Sequence, residues 1–262
     1  MLVARGSKVD LARFDPSDTH GHVKDGADEV LAEDLARLES LQERLWASAA
    51  RAVLIVLQGI DTAGKGGTIR HVMSAFNPQG CSVVGFKVPT PEELSHDYLW
   101  RVHRQVPGRG SVAIFDRSHY EDVLVVRVHE LVPAQVWRRR YDEINDYERL
   151  LAGSGTTVMK FFLHISKDEQ RERLQARLAD PAKRWKFRRG DLDERAHWDD
   201  YQSAYEDALS RCSTPDAPWY VIPADRKWFR NLAVASIVAD TLDELDLRYP
   251  TPTEDLTGLV VE

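Results

Sequence analysis

The chain has 262 residues, of which 43% are hydrophobic, and a formal net charge of −7. This size allows one substantial core, and the acidic balance argues against general binding to nucleic acid. No apolar stretch has signal-peptide length at the N-terminus, and none approaches the roughly 20 residues that span a bilayer. The two cysteines, Cys81 and Cys212, form neither a metal-ligand pattern nor a disulfide framework. We therefore expect a protein of the reducing cytoplasm that does not bind a membrane.

Short apolar runs alternate along the chain with segments of helical periodicity. In chain order the patterns predict helix 30–50, strand 52–58, a helix from the following loop to about 76, strand 82–86, helix 92–105, strand 111–115, helix 116–129, helix 133–151, strand 156–165, helix 166–178, helix 192–211, strand 219–222 and helix 228–245. Such alternation predicts an α/β fold with a mainly parallel sheet that is covered on both faces.

The pattern of elements also predicts a single domain. We expect an N-terminal arm at residues 1–28 that lies over the core or over a neighbouring subunit, one domain at 29–249 and a loose tail at 250–262. No repeat, low-complexity tract or linker interrupts this division.

The first strand (AVLIVLQ) leads directly into the sequence GIDTAGKGGT, which matches a phosphate-binding loop. Glycines allow backbone N–H groups to turn towards an anion, the following helix adds partial positive charge, and Lys65 neutralises phosphate oxygens. The alternative is a tight strand-to-helix turn with an exposed lysine. The placement between a buried strand and a helix favours the phosphate interpretation.

Two features of this loop depart from the usual pattern. The residue after the lysine is normally Ser or Thr, whose hydroxyl helps to hold Mg²⁺, but here it is Gly66. Thr68 lies about 200° further around a helix and is poorly placed to substitute. Asp61 would repel a phosphate unless a cation lay between them, so we expect Asp61 to help hold the metal. The alternative is that Asp61 faces solvent or caps the helix.

A second cluster follows the strand SVAIF, which ends at Asp116 and Arg117. In P-loop nucleotide-binding proteins a strand end presents a carboxylate to Mg²⁺ in this way, and ligands of parallel sheets bind at the carboxyl ends of the strands. We therefore predict Asp116 as the second metal ligand and Arg117 as a group that stabilises phosphoryl charge, against the alternative of a surface arginine. The next residues, His119, Glu121 and Asp122, are candidates for supporting the site; the alternative is that the acids only stabilise the start of the predicted helix.

Positive charge is concentrated between residues 171 and 190, which contain eight basic and two acidic residues. The net charge of this segment is +6, and that of the remainder of the chain is −13. We name residues 171–198 the lid, because phosphoryl-transfer enzymes often close a basic flap over the substrate. A solvated helix face is the alternative. Trp185 and Phe187 are unusual for a solvated face, and would either pack the closed lid or stack on a base.

Five blocks of sequence resemble the polyphosphate kinase 2 family: GIDTAGKGGTIR, DYLWRVHRQVP, FDRSHYEDVLVVRVH, KFFLHISKDEQRERLQARLADPAKRWKF and WDDYQSAYEDAL. The likeness runs from about residue 14 to 250. It implies a three-layer α/β/α P-loop kinase fold, similar to thymidylate kinase, with a helical basic lid. It also implies phosphoryl transfer between inorganic polyphosphate and a nucleotide. In this family Gly or Asp follows the lysine, so Gly66 is expected.

The resemblance implies that the catalytic residues are Asp61, Lys65, Asp116, Arg117 and Arg177, with Asp61 and Asp116 as the metal ligands. The residues predicted to bind phosphate or nucleotide are Gly59, Thr62, Ala63, Gly64, Gly66, Gly67, Thr68, Arg70, Arg173, Lys183, Arg184, Lys186, Arg188 and Arg189. The expected metal is Mg²⁺, with Mn²⁺ as an alternative. The blocks DYLWRVH and WYVIPA look closest to the branch that acts on AMP and ADP, with guanine nucleotides as further candidates. We also expect a homo-oligomer, either a dimer or a tetramer.

Two other classes of function compete with this interpretation. An ATP-dependent small-molecule kinase would share the loop and lid, but would not need so basic a lid or an acid inside the loop. A non-catalytic nucleotide switch of the GTPase type would need a guanine-reading [NT]-K-x-D segment, which SKDE at residues 166–169 does not match.

Overall fold

The computed structural model describes residues 1–255, 257 and 259–261, so part of the predicted tail lies outside the described residues. Five parallel strands form one sheet in the order β2-β3-β1-β4-β5. Their bounds are β1 Ala52–Gln58, β2 Cys81–Gly85, β3 Val112–Asp116, β4 Thr156–His164 and β5 Trp219–Pro223. The predicted parallel α/β sheet is thus confirmed, and β1 with its phosphate loop lies at its centre.

Helices cover both faces of the sheet: α1 Ala27–Ser48, α2 Lys65–His71, α3 Pro91–Leu94, α4 Trp100–His103, α5 Val125–Val128, α6 Ala134–Gly153, α7 Lys167–Ala179, α8 Gly190–Ala196, α9 Trp198–Cys212 and α10 Lys227–Asp243. Successive side chains of β1 divide between two cores. Val53 and Ile55 pack with α1 and α10, whereas Leu54 and Val56 pack with α6 and α9. This alternation produces the three-layer α/β/α arrangement.

Several predicted helices are shorter or interrupted. The helix that follows the phosphate loop ends at His71, and a 3₁₀ turn occupies Met73–Ala75. The segment 92–105 contains the two short helices α3 and α4, and the segment 192–211 is divided at His197.

The predicted helix 116–129 fails for a local reason. Arg117 has φ +67° and Ser118 is fully extended, so only a 3₁₀ turn at His119–Asp122 and the short α5 form. Periodicity alone does not reveal a left-handed residue.

The N-terminal arm pairs with the edge of its own sheet. Leu2 forms an antiparallel bridge with Tyr220, and the amide of Val3 donates to the carbonyl of Trp219 at 2.9 Å. Val9 and Leu11 are buried in the α6/α9 core. The arm therefore protects the edge strand β5 from unwanted pairing. No helix within the described ranges is long and apolar enough to cross a membrane.

Candidate active site

The loop of residues 59–64 has a backbone that depends on glycine. Gly59 has φ +151°, and a Cβ atom there would lie 2.9 Å from both the Cβ of Ala63 and the carbonyl oxygen of Leu163. Thr62 is also left-handed, with φ +67°, and its buried hydroxyl has no hydrogen-bond partner in the described part of the chain. Backbone strain of this kind is concentrated at functional sites. The loop is thus held in a strained conformation in which the hydroxyl of Thr62 is available to bind a ligand.

Lys65, the first residue of α2, folds back over this loop. Its Nζ donates to the carbonyl oxygen of Gly59 at 2.7 Å and to that of Ile60 at 3.4 Å. Burial lowers the pKa of Lys65 and the nearby Arg117 lowers it further, while Asp116 and Asp61 oppose this effect. A buried ammonium group that is satisfied mainly by carbonyls gains further stabilisation from an anion. Phosphate in the loop would supply one.

Asp116 ends the strand β3, and Asp61 lies in the loop that follows the adjacent strand β1. Leu57 of β1 pairs with Asp116 of β3, so Asp116 ends its strand beside the loop that carries Asp61. No group of three or more His, Cys, Asp or Glu side chains that could hold a metal occurs among the described residues. Mg²⁺ at phosphate sites usually binds one or two carboxylates and completes its shell with water and phosphate oxygens. The donor set therefore fits a divalent metal that is shared with a phosphate.

Arg117 connects the two acidic segments. Its Nη2 donates to Oδ1 of Asp61 at 2.6 Å, and its Nη1 donates to Oε2 of Glu121 at 3.1 Å. Its backbone N–H donates to the carbonyl of Leu57 at 3.0 Å, which fixes the left-handed residue against β1. Burial lowers the pKa of Arg117, but the carboxylates of Glu121 and Asp61 outweigh burial and raise it overall. The guanidinium is therefore a permanent charge beside the loop.

Arg173 of α7 binds the protein's own backbone. Its Nη1 donates to the carbonyls of Thr62 and Ala63 at 2.9 and 3.0 Å, and its Nη2 to those of Ala224 and Asp225 at 2.6 and 3.0 Å. Its Nε donates to Glu169 at 2.6 Å. These bonds join the phosphate loop to α7 and to the end of β5. Phosphate binding by Arg173, as predicted from the sequence, would require some of them to open.

Arg177 lies one turn further along α7, beside a cleft of about 380 Å³. Its Nη1 lies 3.5 Å from Oδ2 of Asp191, at the start of α8. The cleft is lined by Thr62, Glu172, Arg173, Ala176, Arg177, Lys183 and Lys227. Four of these seven residues are basic, so the cleft next to the loop suits an anion.

The other predicted binding residues lie in varied surroundings. The hydroxyl of Thr68 is buried and donates to the carbonyl of Gly64 at 3.3 Å, so it supports the helix. Arg70 is exposed in the last turn of α2. Within the lid, Lys183 pairs with Asp180 at 2.7 Å and Nε of Arg184 donates to the carbonyl of Leu178. The side chains of Lys186, Arg188 and Arg189 are exposed, as are Gly66 and Trp185.

The sequence prediction missed groups that support the site from inside the core. Gln58, the last residue of β1, donates to the hydroxyl of Ser118 at 3.1 Å and accepts from that of Tyr205 at 3.4 Å. Further in, Lys160 donates to Glu148 and to the hydroxyl of Tyr120. The sequence signal for this buried group is the lysine between the apolar residues of the strand TTVMKFFLH.

Each of His119, Glu121 and Asp122 makes a polar contact with another side chain. His119 contacts Glu148 of the buried group at 3.1 Å, and Asp122 contacts Arg140 at 3.0 Å. With Glu121 on Arg117, all three side chains anchor the turn that follows Asp116 and Arg117.

The fold and the site together define a class of protein. P-loop phosphotransferases combine three parts that are all found here. These are a central parallel strand that leads into a glycine-dependent loop, a lysine at the start of the next helix and an aspartate at the end of the adjacent strand.

Comparison with known proteins identifies the family within this class. The sequence profile described as Polyphosphate kinase 2 (PPK2) matches residues 22–250. An AMP/ADP-polyphosphate phosphotransferase of Meiothermus ruber is 56% identical over 257 residues, which is 97% of this chain and 96% of the relative. An ADP-polyphosphate phosphotransferase of Rhodopseudomonas palustris is 46% identical, over 96% of this chain and 91% of the relative.

A solved structure agrees with these sequence matches. The crystal structure of polyphosphate kinase 2 from Arthrobacter aurescens TC1 superposes with a TM-score of 0.94 at 49% identity, covering 97% of this chain and 92% of that one. The chain belongs to the polyphosphate kinase 2 family. It is therefore an enzyme that transfers phosphate between polyphosphate and nucleotides, and phosphotransferases of this family need a divalent metal.

Proposed function

We propose that this protein is a polyphosphate:AMP/ADP phosphotransferase that uses Mg²⁺, with Mn²⁺ as an alternative. The observation that carries the proposal is the meeting of Lys65, Asp61, Asp116 and Arg117 at the carboxyl ends of β1 and β3. The names of the relatives from Meiothermus ruber and Rhodopseudomonas palustris support AMP and ADP as acceptors.

The donor and acceptor would approach the site from two sides. The end of the polyphosphate chain would lie along the loop of residues 59–64 and continue into the basic cleft, and the nucleotide phosphate would lie beside Arg117. Lys65, Arg117 and Arg177 would stabilise the charge that develops on the transferring phosphoryl group. A nucleotide phosphate oxygen is already ionised at neutral pH, so positioning replaces a general base.

Asp61 and Asp116 would hold the metal in this scheme. A divalent metal held by these two carboxylates would supply positive charge that reduces the repulsion between the two anionic substrates. Arg117 would keep Asp61 directed towards the loop through the bond between Nη2 and Oδ1. The two carboxylates and the arginine therefore act as one unit.

The lid, residues 171–198, would close over the bound substrates. Its basic side chains Lys186, Arg188 and Arg189 are exposed and available to a polyanion, and Trp185 is 76% exposed. Closure would bring this charge to the phosphates and exclude water, which would otherwise compete as an acceptor.

A donor assay tests the proposal. Purified enzyme is incubated with long-chain polyphosphate, divalent metal and AMP, ADP, GMP or GDP without ATP, and the nucleotide products are separated. The proposal expects ADP from AMP and ATP from ADP. If ATP supports phosphorylation of a small molecule and polyphosphate does not, the protein is the ATP-dependent kinase described above as the alternative.

One acceptor site would serve both AMP and ADP. With the donor chain in the phosphate loop, the nucleotide would be held by its base and ribose, so its phosphate end could shift by one unit under the basic lid. A time course from AMP with excess polyphosphate should yield ADP first and ATP later. If the reaction stops at ADP, and added ADP gives no ATP, the enzyme acts on AMP alone. If only ADP reacts, the enzyme belongs to the ADP branch.

A homo-oligomer, either a dimer or a tetramer, stays a prediction of the sequence. Analytical ultracentrifugation of the purified chain, with its mass of 29.8 kDa per subunit, measures the state directly. A single species at the monomer mass would contradict the prediction.

A further inference from the structure

Arg230 is a buried arginine behind the phosphate loop to which the scheme above gives no role. It lies in the first turns of α10 and is 3% exposed. Its Nε and Nη2 both donate to the same oxygen, Oδ1 of Asn231, at 3.2 and 2.8 Å. Its Nη1 donates to no side chain or carbonyl in the described residues. Several N–H groups of this cation therefore have no acceptor among the described residues.

No carboxylate of the described residues compensates this charge. Within the described ranges Arg230 forms no salt bridge, and the charged neighbour that affects it is another cation, Arg173. Burial, with a smaller effect of Arg173, lowers the pKa of Arg230 to about 10. Buried charges are normally paired, because an unpaired one carries a large desolvation cost. An anion that is present only in the working enzyme would remove the cost.

The guanidinium lies directly against the phosphate loop. A Cβ atom on Gly64 would be 1.9 Å from Nη1 of Arg230, and one on Gly67 would be 2.9 Å from Nη2. Gly64 also has φ +113°, which excludes most other residues. A Cβ on Gly66, by contrast, would meet nothing within 4 Å. The glycines on both sides of Lys65 and Gly66 therefore leave the space that Arg230 occupies.

The position of α10 points to the donor side of the site. Lys227, three residues before Arg230 on the same helix, lines the basic cleft of about 380 Å³ together with Thr62 and Arg177. Arg230 therefore extends to the phosphate loop from the same helix that forms one wall of that cleft.

We propose that Arg230 is a binding residue for the polyphosphate donor, whose guanidinium donates to an oxygen of a phosphate beyond the transferring one. The proposal rests on the proposed function, since it needs polyphosphate in the loop. The chain's negative charge supplies the missing partner of Arg230, and Gly64 and Gly67 are glycines because the guanidinium must reach that phosphate past them.

Arg230→Met tests the proposal, because it keeps the size of the side chain and removes the charge. The KM for polyphosphate should rise about ten- to hundredfold, as for loss of a hydrogen bond to a charged group, while the KM for AMP and ADP stays as in the wild type. The slope of a plot of the logarithm of the polyphosphate affinity against the logarithm of the salt concentration should become shallower by about one unit. Arg230→Lys should recover part of the affinity.

Arg230→Met should weaken polyphosphate binding but should not destabilise the protein when no substrate is bound. Removing an unpaired buried charge should leave the melting temperature unchanged or raise it, whereas polyphosphate should raise the melting temperature of Arg230→Met less than that of the wild type. Arg173→Met is the matched control. Because the donors of Arg173 are all satisfied by the protein, this variant should lower the melting temperature without any ligand.

The glycines provide a second test in the same assay. Gly67→Ala should raise the KM for polyphosphate more than Gly66→Ala, since only the first methyl group meets the guanidinium. The difference between these two variants should vanish in the Arg230→Met background. A difference that persists there would overturn the proposed contact.

Other outcomes separate the possible ligands. If Arg230→Met raises the KM for nucleotide alone, or reduces stabilisation by inorganic phosphate but not by polyphosphate, the residue does not bind the donor chain. If it lowers the melting temperature and leaves the KM for polyphosphate unchanged, Arg230 is a structural residue. A failure of the proposed function itself is distinguishable, because the wild type would then neither transfer phosphate from polyphosphate nor be stabilised by it.

Discussion

Asp61→Asn separates the metal role of Asp61 from its role in the fold. Asparagine keeps the shape of the side chain, but removes the charge that meets Arg117 at 2.6 Å and that is proposed to hold Mg²⁺. The side chains of Arg117 and Asp61 are 35% and 28% exposed, so their pair resembles a surface ion pair worth about 0–1 kcal/mol of folding free energy. The loss of one charge contact in the transition state typically costs about 10²–10³ in kcat. Turnover should therefore collapse while the melting temperature changes little.

The assay measures the initial rate of ATP formation from ADP and polyphosphate across a series of Mg²⁺ concentrations, with the melting temperature recorded for each variant. Glu121→Gln is the control, because Glu121 holds the other nitrogen of Arg117 at 3.1 Å and is not a proposed metal ligand. It should lose less turnover and show the wild-type dependence on Mg²⁺. Wild-type turnover of Asp61→Asn at ordinary Mg²⁺ would refute the reasoning, as would a loss of rate that only parallels a loss of stability.

Three further predictions concern the buried group, the lid and Arg177. Burial would raise the pKa of Glu148, but Lys160 and His119 outweigh burial and hold this pKa below the ordinary 4.5. Glu148 therefore stabilises the fold above pH 4.5, and this stabilisation is lost as the pH falls through its lowered pKa. In urea unfolding at neutral pH, Glu148→Gln should lower the free energy of unfolding by about 3–5 kcal/mol, because Lys160 loses its buried partner. The difference in unfolding free energy between the variant and the wild type should decrease below pH 4.5, and a difference that stays constant would contradict the pairing. Arg177→Ala should lower kcat more than it raises either KM, and a change in KM alone would show that Arg177 does not act at the reacting phosphate. Replacing five basic residues of the lid by glutamine should weaken polyphosphate binding much more than nucleotide binding and make the salt dependence of polyphosphate binding shallower. The five residues are Lys183, Arg184, Lys186, Arg188 and Arg189. An unchanged salt dependence would show that the lid is a solvated surface.

The centre of the fold could be predicted closely from the sequence. The strand 52–58 has the predicted bounds, because seven apolar or buried residues followed by a glycine allow few alternatives to a central parallel strand. The same reasoning placed Lys65 at the start of a helix and Asp116 at the end of an adjacent strand. These groups are close in sequence to the elements that position them.

Other features depend on contacts that no local pattern contains. The positive φ of Arg117 breaks a helix that periodicity predicted, since its backbone is fixed by Leu57, 60 positions earlier. The five acceptors of Arg173 come from the phosphate loop, the end of β5 and its own helix, and no local sequence pattern shows that these groups surround it. Arg230 lies on the last helix and reaches the loop only through the packing of α10 on α2.

The most direct test of the account follows the phosphoryl group itself. Polyphosphate labelled with ³²P is incubated with the enzyme, unlabelled AMP and Mg²⁺ in the absence of ATP, and the nucleotides are separated at intervals. The account predicts that the label enters ADP first and ATP later, with little release of inorganic phosphate. If the label stays in polyphosphate, or appears only as inorganic phosphate, the chain does not transfer phosphate from polyphosphate to a nucleotide.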